Sequence, residues 1–317
     1  MVSIIVANYN GERFIKNCLE SLYATTYQDK EIIVVDNNSK DESVFYLMEE
    51  HNKKKIRLLR LANNVGLAKA SNTGYYWSKG NYLFFLNNDT KVKEDIFERL
   101  LETINGKVAV LGCKMYNYDG TKELDSALSV DRFGYPAGKT GQIFYPDGAI
   151  FIRADVFKEI GGFDEELFLY GEDRDLCWRV LLAGWAIHYC PTAHFFHFSS
   201  CNNDTNFCRR KITEKNILRS MLKNYTFKSL LFILPQYLYW SILEIGLMLF
   251  VNPMAIWKSY LPAYWWNIVN LSNTLNQRKF VLHRISDKEI SRIMSKEIGK
   301  WFVFKATGIP KFKEIVK

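Results

Sequence analysis

Apolar residues in the first two thirds of the chain follow two periods. Short unbroken runs at residues 2–7, 31–36 (EIIVVD), 56–61, 81–86 (NYLFFL) and 108–113 predict buried strands. Between them lie amphipathic stretches with a period near 3.6. Residues 12–23 set Phe14, Cys18, Leu19 and Leu22 on one helical face, and 41–51, 67–78 and 94–103 also predict helices, with Asp41 near an N-cap. Strands alternating with helices of this length imply right-handed βαβ units and an α/β fold with a mostly parallel sheet. In such sheets ligands bind beyond the carboxyl ends of the strands. Three of those ends are polar: Ala7-Asn8-Tyr9-Asn10, Asp36-Asn37-Asn38-Ser39 and Asn87-Asn88-Asp89. They are expected to converge on one edge.

Residues 114–146 read as irregular. A strand is expected at 147–152, a helix at 154–160 that Gly161-Gly162 breaks, a helix at 172–183 opening on three acids, and short strands at 186–189 and 194–198. The character changes near residue 205. A basic helical stretch spans 209–223. Residues 229–251 are apolar but for Glu244 and are interrupted by Pro235; Asn252-Pro253 is a turn signal, and 254–271 is rich in Trp and Tyr. Two domains follow: 1–204, α/β, and 205–317, helical and aromatic-rich.

Charge sharpens that division. The net charge of +8 divides into −4 over residues 1–200 and +12 over 201–317. A basic, aromatic-rich end points to an anionic surface as partner. Stretch 229–251 is long enough to span a bilayer, but Glu244 and Pro235 favour a segment lying in the interface. The expectation is peripheral or monotopic attachment to the cytoplasmic face of the membrane; the alternative is an aromatic helical pair packed on the catalytic domain. Cys18, Cys113, Cys177, Cys190, Cys201 and Cys208 form no C-x-x-C pair, which argues against a zinc site and fits reduced thiols. The opening run turns polar at Asn8, unlike a signal peptide.

Several acids and one histidine are candidates for chemistry. Asp36 at a strand end can accept hydrogen bonds from a base or ribose, or cap an Asx turn. Asp89 can hold Mg²⁺ or Mn²⁺, or close a turn. Glu172, Asp173 and Asp175 suit a helix N-terminus through its dipole, and a carboxylate there can also take a proton from a hydroxyl. His197 and His194, three apart on a strand, face opposite ways and are not expected to ligate one metal.

The order and spacing of these pieces say more than any one of them. The segments VSIIVANYNGERFIKNCLESL, EIIVVDNNSKDES, LANNVGLAKASNTG, YLFFLNNDT, DGAIFIRADVFKEIGGFDEELFLYGEDRDLCWRVLLAGW and HFFHFSS occur in this order within residues 1–225. Together they resemble the family 2 glycosyltransferases of the GT-A fold, especially rhamnosyltransferase-like members. The resemblance implies that Ala7, Asn8, Tyr9 and Asp36 hold the nucleobase side of a nucleotide-sugar donor. Asn63, Gly66 and Asn72 would flank its ribose and diphosphate. Asn87-Asn88-Asp89 stands where the family carries D-x-D, so Asp89 looks like the metal ligand, and His197 matches a histidine that completes the site. Asp173 matches the catalytic base of an inverting transfer. Asp147, Gly148, Glu172 and Arg179 are expected around the acceptor or behind the residues that touch substrate; Arg179 would anchor the helix or meet phosphate. One departure is Asn87 in place of the first acid, so the metal is expected to enter with the diphosphate.

The implied partners are a dTDP-, UDP- or GDP-sugar, a glycan or polyprenyl-linked acceptor and an anionic membrane surface; no nucleic acid is expected. Two rivals compete. A sugar-1-phosphate nucleotidyltransferase would need a glycine-rich, lysine-containing loop that ANYNGERF lacks. A non-catalytic, membrane-bound nucleotide-sugar-binding subunit would not need the ordered Asp36, Asp89 and Asp173.

Overall fold

A computed structural model of the chain describes residues 1–137, 143–198 and 206–300. Ser199, Ser200, Cys201, the expected junction at 204 and the basic end beyond residue 300 lie outside the described residues. The chain forms two compact units, 1–127 with 145–200 and 128–144 with 201–317. The division therefore departs from a single cut at 204, because residues 128–144 join the C-terminal helices. The physical reason lies at Asp131 and Tyr135: the backbone of Gly299 donates to the Asp131 carboxylate at 2.8 Å, and the Tyr135 hydroxyl donates to Glu214 at 2.6 Å.

The first unit opens with β1 (Val2–Asn8), α1 (Ile15–Tyr23), β2 (Lys30–Asp36), α2 (Ser43–Asn52), β3 (Arg57–Arg60), α3 (Leu67–Tyr76) and β4 (Tyr82–Asn87). Then come β5 (Thr90–Val92), α4 (Ile96–Thr103), β6 (Val108–Asn117) and β7 (Glu123–Leu124). The stretch expected to be irregular holds β8 (Ala127–Val130) and β9 (Pro136–Ala137), which fall to the second unit but for Ala127, and β10 (Tyr145–Pro146) in the first. The unit ends with β11 (Ala149–Arg153), α5 (Ala154–Glu159), α6 (Glu172–Leu182) and β12 (Ala186–His197).

Its main sheet runs β3-β2-β1-β4-β11-β6-β12-β5, with β7 beside β6. Strands β3, β2, β1, β4, β6 and β12 share one direction; β11, β5 and β7 run against it. Helices on both faces explain the unbroken apolar runs, since each strand buries alternate residues on opposite sides. Val2, Ile4 and Val6 pack with Cys18, Leu19 and Leu22 of α1 and Phe97 and Leu100 of α4. Ile33 and Val35 face the other way, onto Ala70 of α3. The two short strands expected at 186–189 and 194–198 are one strand, β12, with a register shift between Cys190 and His194. Phe14 does not join the α1 face. It precedes the helix and packs on Phe198, ring centroids 4.5 Å apart.

The second unit holds α7 (Asn206–Asn224), α8 (Phe227–Val251), α9 (Pro253–Ala255), a π-helical turn (Ile256–Tyr260), α10 (Leu261–Val269), α11 (Leu271–Arg278) and α12 (Asp287–Ile293). Pro235 lies inside α8 without ending it.

Candidate active site

Parallel pairing puts three polar strand ends side by side. Asn8 is in register with Asp36, and Ala7 with Asn87. Asn8 is the strut between them. Its buried amide nitrogen donates toward Asp36 Oδ1 at 3.2 Å, Ser39 Oγ at 3.1 Å and Ser43 Oγ at 3.0 Å. Its oxygen accepts from Asn88 Nδ2 at 2.8 Å. Asn8 and Asn88 are thus spent on holding the edge together, while Tyr9 stands exposed beside them. Asp36 is buried, and its Oδ2 has no hydrogen-bond donor within the protein; the Arg60 guanidinium Nε stands 3.7 Å away. A buried carboxylate oxygen without a donor is costly unless a ligand supplies one.

The loop after β3 is fastened to the same edge. Asn37 donates to Asn64 Oδ1 at 2.9 Å and accepts from Val65 N at 2.8 Å. Asn63 projects into solvent next to it. Gly66 follows with φ +85°, and a Cβ there would fall 2.5 Å from the Phe168 carbonyl oxygen. That close approach is used: Leu67 N donates to the Phe168 carbonyl at 2.6 Å. The loop flanking the expected ribose site is thereby tied to the segment leading into α6. Phe168 and Tyr170 both hold positive φ, 64° and 65°, strained conformations for side-chain-bearing residues.

Asn72, expected beside the ribose and diphosphate, has protein partners. It is buried, donates to the Phe163 carbonyl at 2.9 Å and accepts from Phe163 N at 2.9 Å. Its work is to pin the turn before α6 onto α3.

Across the sheet, β5 pairs antiparallel with β12, matching Thr90 to His197. The pairing brings His197 Nε2 to 3.1 Å from Asp89 Oδ1, with 14% and 18% of the two side chains exposed. His194 is apart, its Nε2 on the Pro191 carbonyl at 2.9 Å. Burial works against the charged imidazole, but the hydrogen bond it donates to Asp89 and the charges of Asp89 and Asp147 outweigh that and raise His197 above its ordinary value. Gly148, at φ +77°, lets the chain pass over β12, where a Cβ would lie 3.1 Å from Phe195 and 3.6 Å from His197 Nδ1. Asp147 is held there by its amide, which donates to the Ser126 carbonyl at 3.0 Å.

Asp147 is the common neighbour of the two halves of the site. Its charge acts on His197 on one side and on Glu172 and Asp173 on the other. The three acids opening α6 have three different settings. Asp175 is fully buried and paired with Arg179, Oδ2 to Nη2 at 2.9 Å. Arg179 also donates to the Ile160 carbonyl at 2.7 Å, so it anchors the helix and does not reach outward to a phosphate. Glu172 is buried with Oε2 lacking a hydrogen bond; burial and the Asp173 charge push its carboxyl up to about 8. Asp173 keeps 19% of its side chain exposed. Burial and Asp147 push it up to about 6, against the pull of the Arg174 guanidinium, whose Nε is 4.0 Å from Asp173 Oδ1. Both carboxyls are thus held above the usual carboxylate range by burial and by neighbouring carboxylate charge, and Asp173 is the one that reaches solvent.

The sequence pattern gives no separate role to Asn37, Phe168 or Arg174. The only signal is position: Asn37 inside DNNS, Phe168 just before the acids, Arg174 between two of them.

Carboxylate oxygen and imidazole nitrogen are donors that a divalent cation accepts. Asp89 and His197 offer one of each, already facing one another. Among the described residues no cluster of three or more His, Cys, Asp or Glu side chains is arranged around a cation position. The pair fits a cation whose other ligands come from a bound diphosphate and water.

Comparison with known proteins agrees with this reading of the fold. The chain is 34% identical over 125 residues to the glycosyltransferase GlyG of Streptococcus pneumoniae, covering 38% of this chain and 40% of GlyG. It is 28% identical over 234 residues to the rhamnosyltransferase WbbL of Escherichia coli, covering 66% of this chain and 88% of WbbL. It thus spans less than half the length of one relative and most of the other. Its fold matches that of GalNAc-T7, solved with UDP, GalNAc and Mn²⁺, with a TM-score of 0.56 at 16% identity over 70% of this chain and 48% of that one. The family model for glycosyl transferase family 2 matches residues 3–161, half of the chain, and the chain belongs to that family.

Proposed function

We propose that the protein is an inverting glycosyltransferase, moving a sugar from a nucleoside-diphosphate sugar to a hydroxyl of a glycan or lipid-linked glycan. One observation carries the reading. Through Asp147, the Asp89–His197 pair and the reachable Asp173 share one electrostatic neighbourhood, although they come from different ends of the unit. A cation site and a base are what a single displacement at an anomeric carbon needs.

Tyr9 and the undonated Asp36 oxygen would meet the nucleoside of the donor, and Asn63 and Gly66 would border its ribose and diphosphate. Asp89 and His197 would hold Mn²⁺ or Mg²⁺, which when bound offsets the charge on the leaving diphosphate. Asp173 takes the proton of the acceptor hydroxyl. The freed oxygen pair forms the new bond to the anomeric carbon from the face opposite the donor oxygen. The bond to that oxygen breaks, and its pair leaves with the nucleoside diphosphate, inverting the configuration. Glu172, buried beside Asp173, is less well placed to meet an acceptor hydroxyl. Gly148 leaves room beside His197.

The test is Asp173→Asn protein, assayed for donor binding by calorimetry and for transfer, with the product anomer read by NMR. Retained binding with lost transfer in the variant, and an inverted product from the wild type, is the expected result. Near-normal transfer in the variant, or a retained configuration, overturns it.

A further inference from the structure

The C-terminal unit is built inside out. Along α8 the residues turned inward are Leu230, Tyr237, Ser241, Glu244 and Met248, spaced at seven, four, three and four. That stripe is the more polar side of the helix. The outward side carries Leu231, Phe232, Ile242, Leu243, Leu249 and Phe250, with Ile242 69% and Phe250 87% exposed. Only 22% of the most apolar stretch of the helix is buried. A water-facing helix shows the reverse polarity. Glu244, the lone charge of the apolar run, is accounted for: it accepts from the Tyr260 hydroxyl at 2.5 Å, and Lys300 Nζ lies 2.9 Å from its other oxygen. It therefore does not oppose an apolar medium on the outer side. The exposed apolar surface continues past the turn at Asn252 through Met254, Trp257, Leu261 and Trp265.

A soluble partner and a lipid surface make different demands on charge. Between residues 207 and 300, Glu214, Glu244 and Asp287 are buried, leaving Glu289 and Glu297 exposed against nine exposed lysines and arginines. Lys228 and Lys258 are exposed and adjoin the exposed Phe227 and Trp257 along the chain. A second copy would oppose like charge with like, which argues against a dimer through this face. An anionic bilayer answers both features, since apolar side chains enter the acyl boundary, Trp rings sit at headgroup level and lysines reach the phosphates.

We propose that this unit lies in the plane of an anionic lipid bilayer, docked through the outward faces of α8 and α10. The inward partners of α8 argue against its crossing the bilayer as a helix surrounded by lipid. Lys300 bonds Ser241 at 2.8 Å, and Arg210 lies 3.6 Å from Met248 Sδ. These cations run along the helix and keep one side of it in protein, so only the other is free for lipid.

The experiment is flotation of the full chain with vesicles of phosphatidylcholine alone and of phosphatidylcholine mixed with phosphatidylglycerol. Trp fluorescence is followed in the mixed vesicles with acyl chains brominated near the headgroup. Binding is expected to be at least ~10-fold stronger to the mixed vesicles and to fall on the order of 10-fold or more in Lys228→Glu/Lys258→Glu. Quenching is expected in the wild type and to shrink in Trp257→Phe/Trp265→Phe, a pair of changes that keeps the fold's apolar character. Equal binding to both vesicle types, or quenching unchanged by the Trp replacements, overturns the proposal. So does a stable dimer, by light scattering without lipid, whose Trp fluorescence vesicles leave unchanged.

Discussion

Two clusters of buried acids, one in each unit, are handled in opposite ways. In the C-terminal unit Lys300 lies 2.9 Å from Glu244 and 3.6 Å from Glu214, and the hydroxyls of Tyr135 and Tyr260 donate to the same two carboxylates. Lys300 is the shared counter-charge of both, although burial still raises Glu214 above its ordinary value. At the start of α6 Asp175 is treated so, by Arg179. Glu172 and Asp173 lie close to Asp147 with the Arg174 guanidinium as the named counter-charge, and their carboxyls hold protons above the usual range. Asp36 keeps an oxygen with no donor. A closed cluster stabilises a fold; an under-compensated one at a strand edge is a place for ligands.

The largest effect expected from breaking this contrast is on chemistry. Asp173→Asn should lower kcat by ~100- to 10,000-fold with donor affinity retained, whereas Glu172→Gln should cost far less. Steady-state kinetics on both variants decide whether the reachable acid is the base.

Next comes Lys300→Met, which strands two buried carboxylates. A loss of roughly 3–5 kcal/mol is expected in urea unfolding, with donor binding by the first unit unchanged. A loss below ~1 kcal/mol would mean the cluster is not balanced by Lys300.

Gly66→Ala is milder. Its Cβ would meet the Phe168 carbonyl from a positive φ, so a loss of about 1–3 kcal/mol is expected. Donor affinity should weaken in the same variant, because the loop and the segment before α6 are joined at that contact. Unaltered affinity would uncouple the two.

The smallest effect is a shift in pH dependence. Asp173 is pushed up to about 6 by burial and by Asp147, and the base must be ionised. Activity should therefore fall as pH drops through about 6, not near the ordinary carboxyl value. Arg174 lowers the Asp173 value, so Arg174→Gln should move this acid limb upward, by about one unit. A limb left in place would remove Arg174 from the site.

Much of the fold was legible in the chain. Strands covered on both faces must be unbroken apolar runs, and β1, β2 and β4 stand out for that reason. Strands of two or three residues such as β5 and β7 carry too little pattern, yet β5 is what brings Asp89 to His197. Phe14 matched the helical period but went to Phe198 instead, a partner 184 positions away that no local period encodes.

At the site, residue type and position made Asp36, Asp89, Asp173 and His197 candidates, and the resemblance supplied their expected roles. They could not separate Asp173 from Glu172 and Asp175, nor tell that Asn72 and Arg179 serve as fasteners. Those roles depend on which oxygen meets a donor, which side chain reaches solvent and which charge stands nearby. The amino-acid sequence by itself determined the alternation of elements and the chemistry available at their ends, because periodicity and residue type are local. Tertiary structure alone decided which acids are neutralised and which are left open, because that balance is struck between groups far apart along the chain.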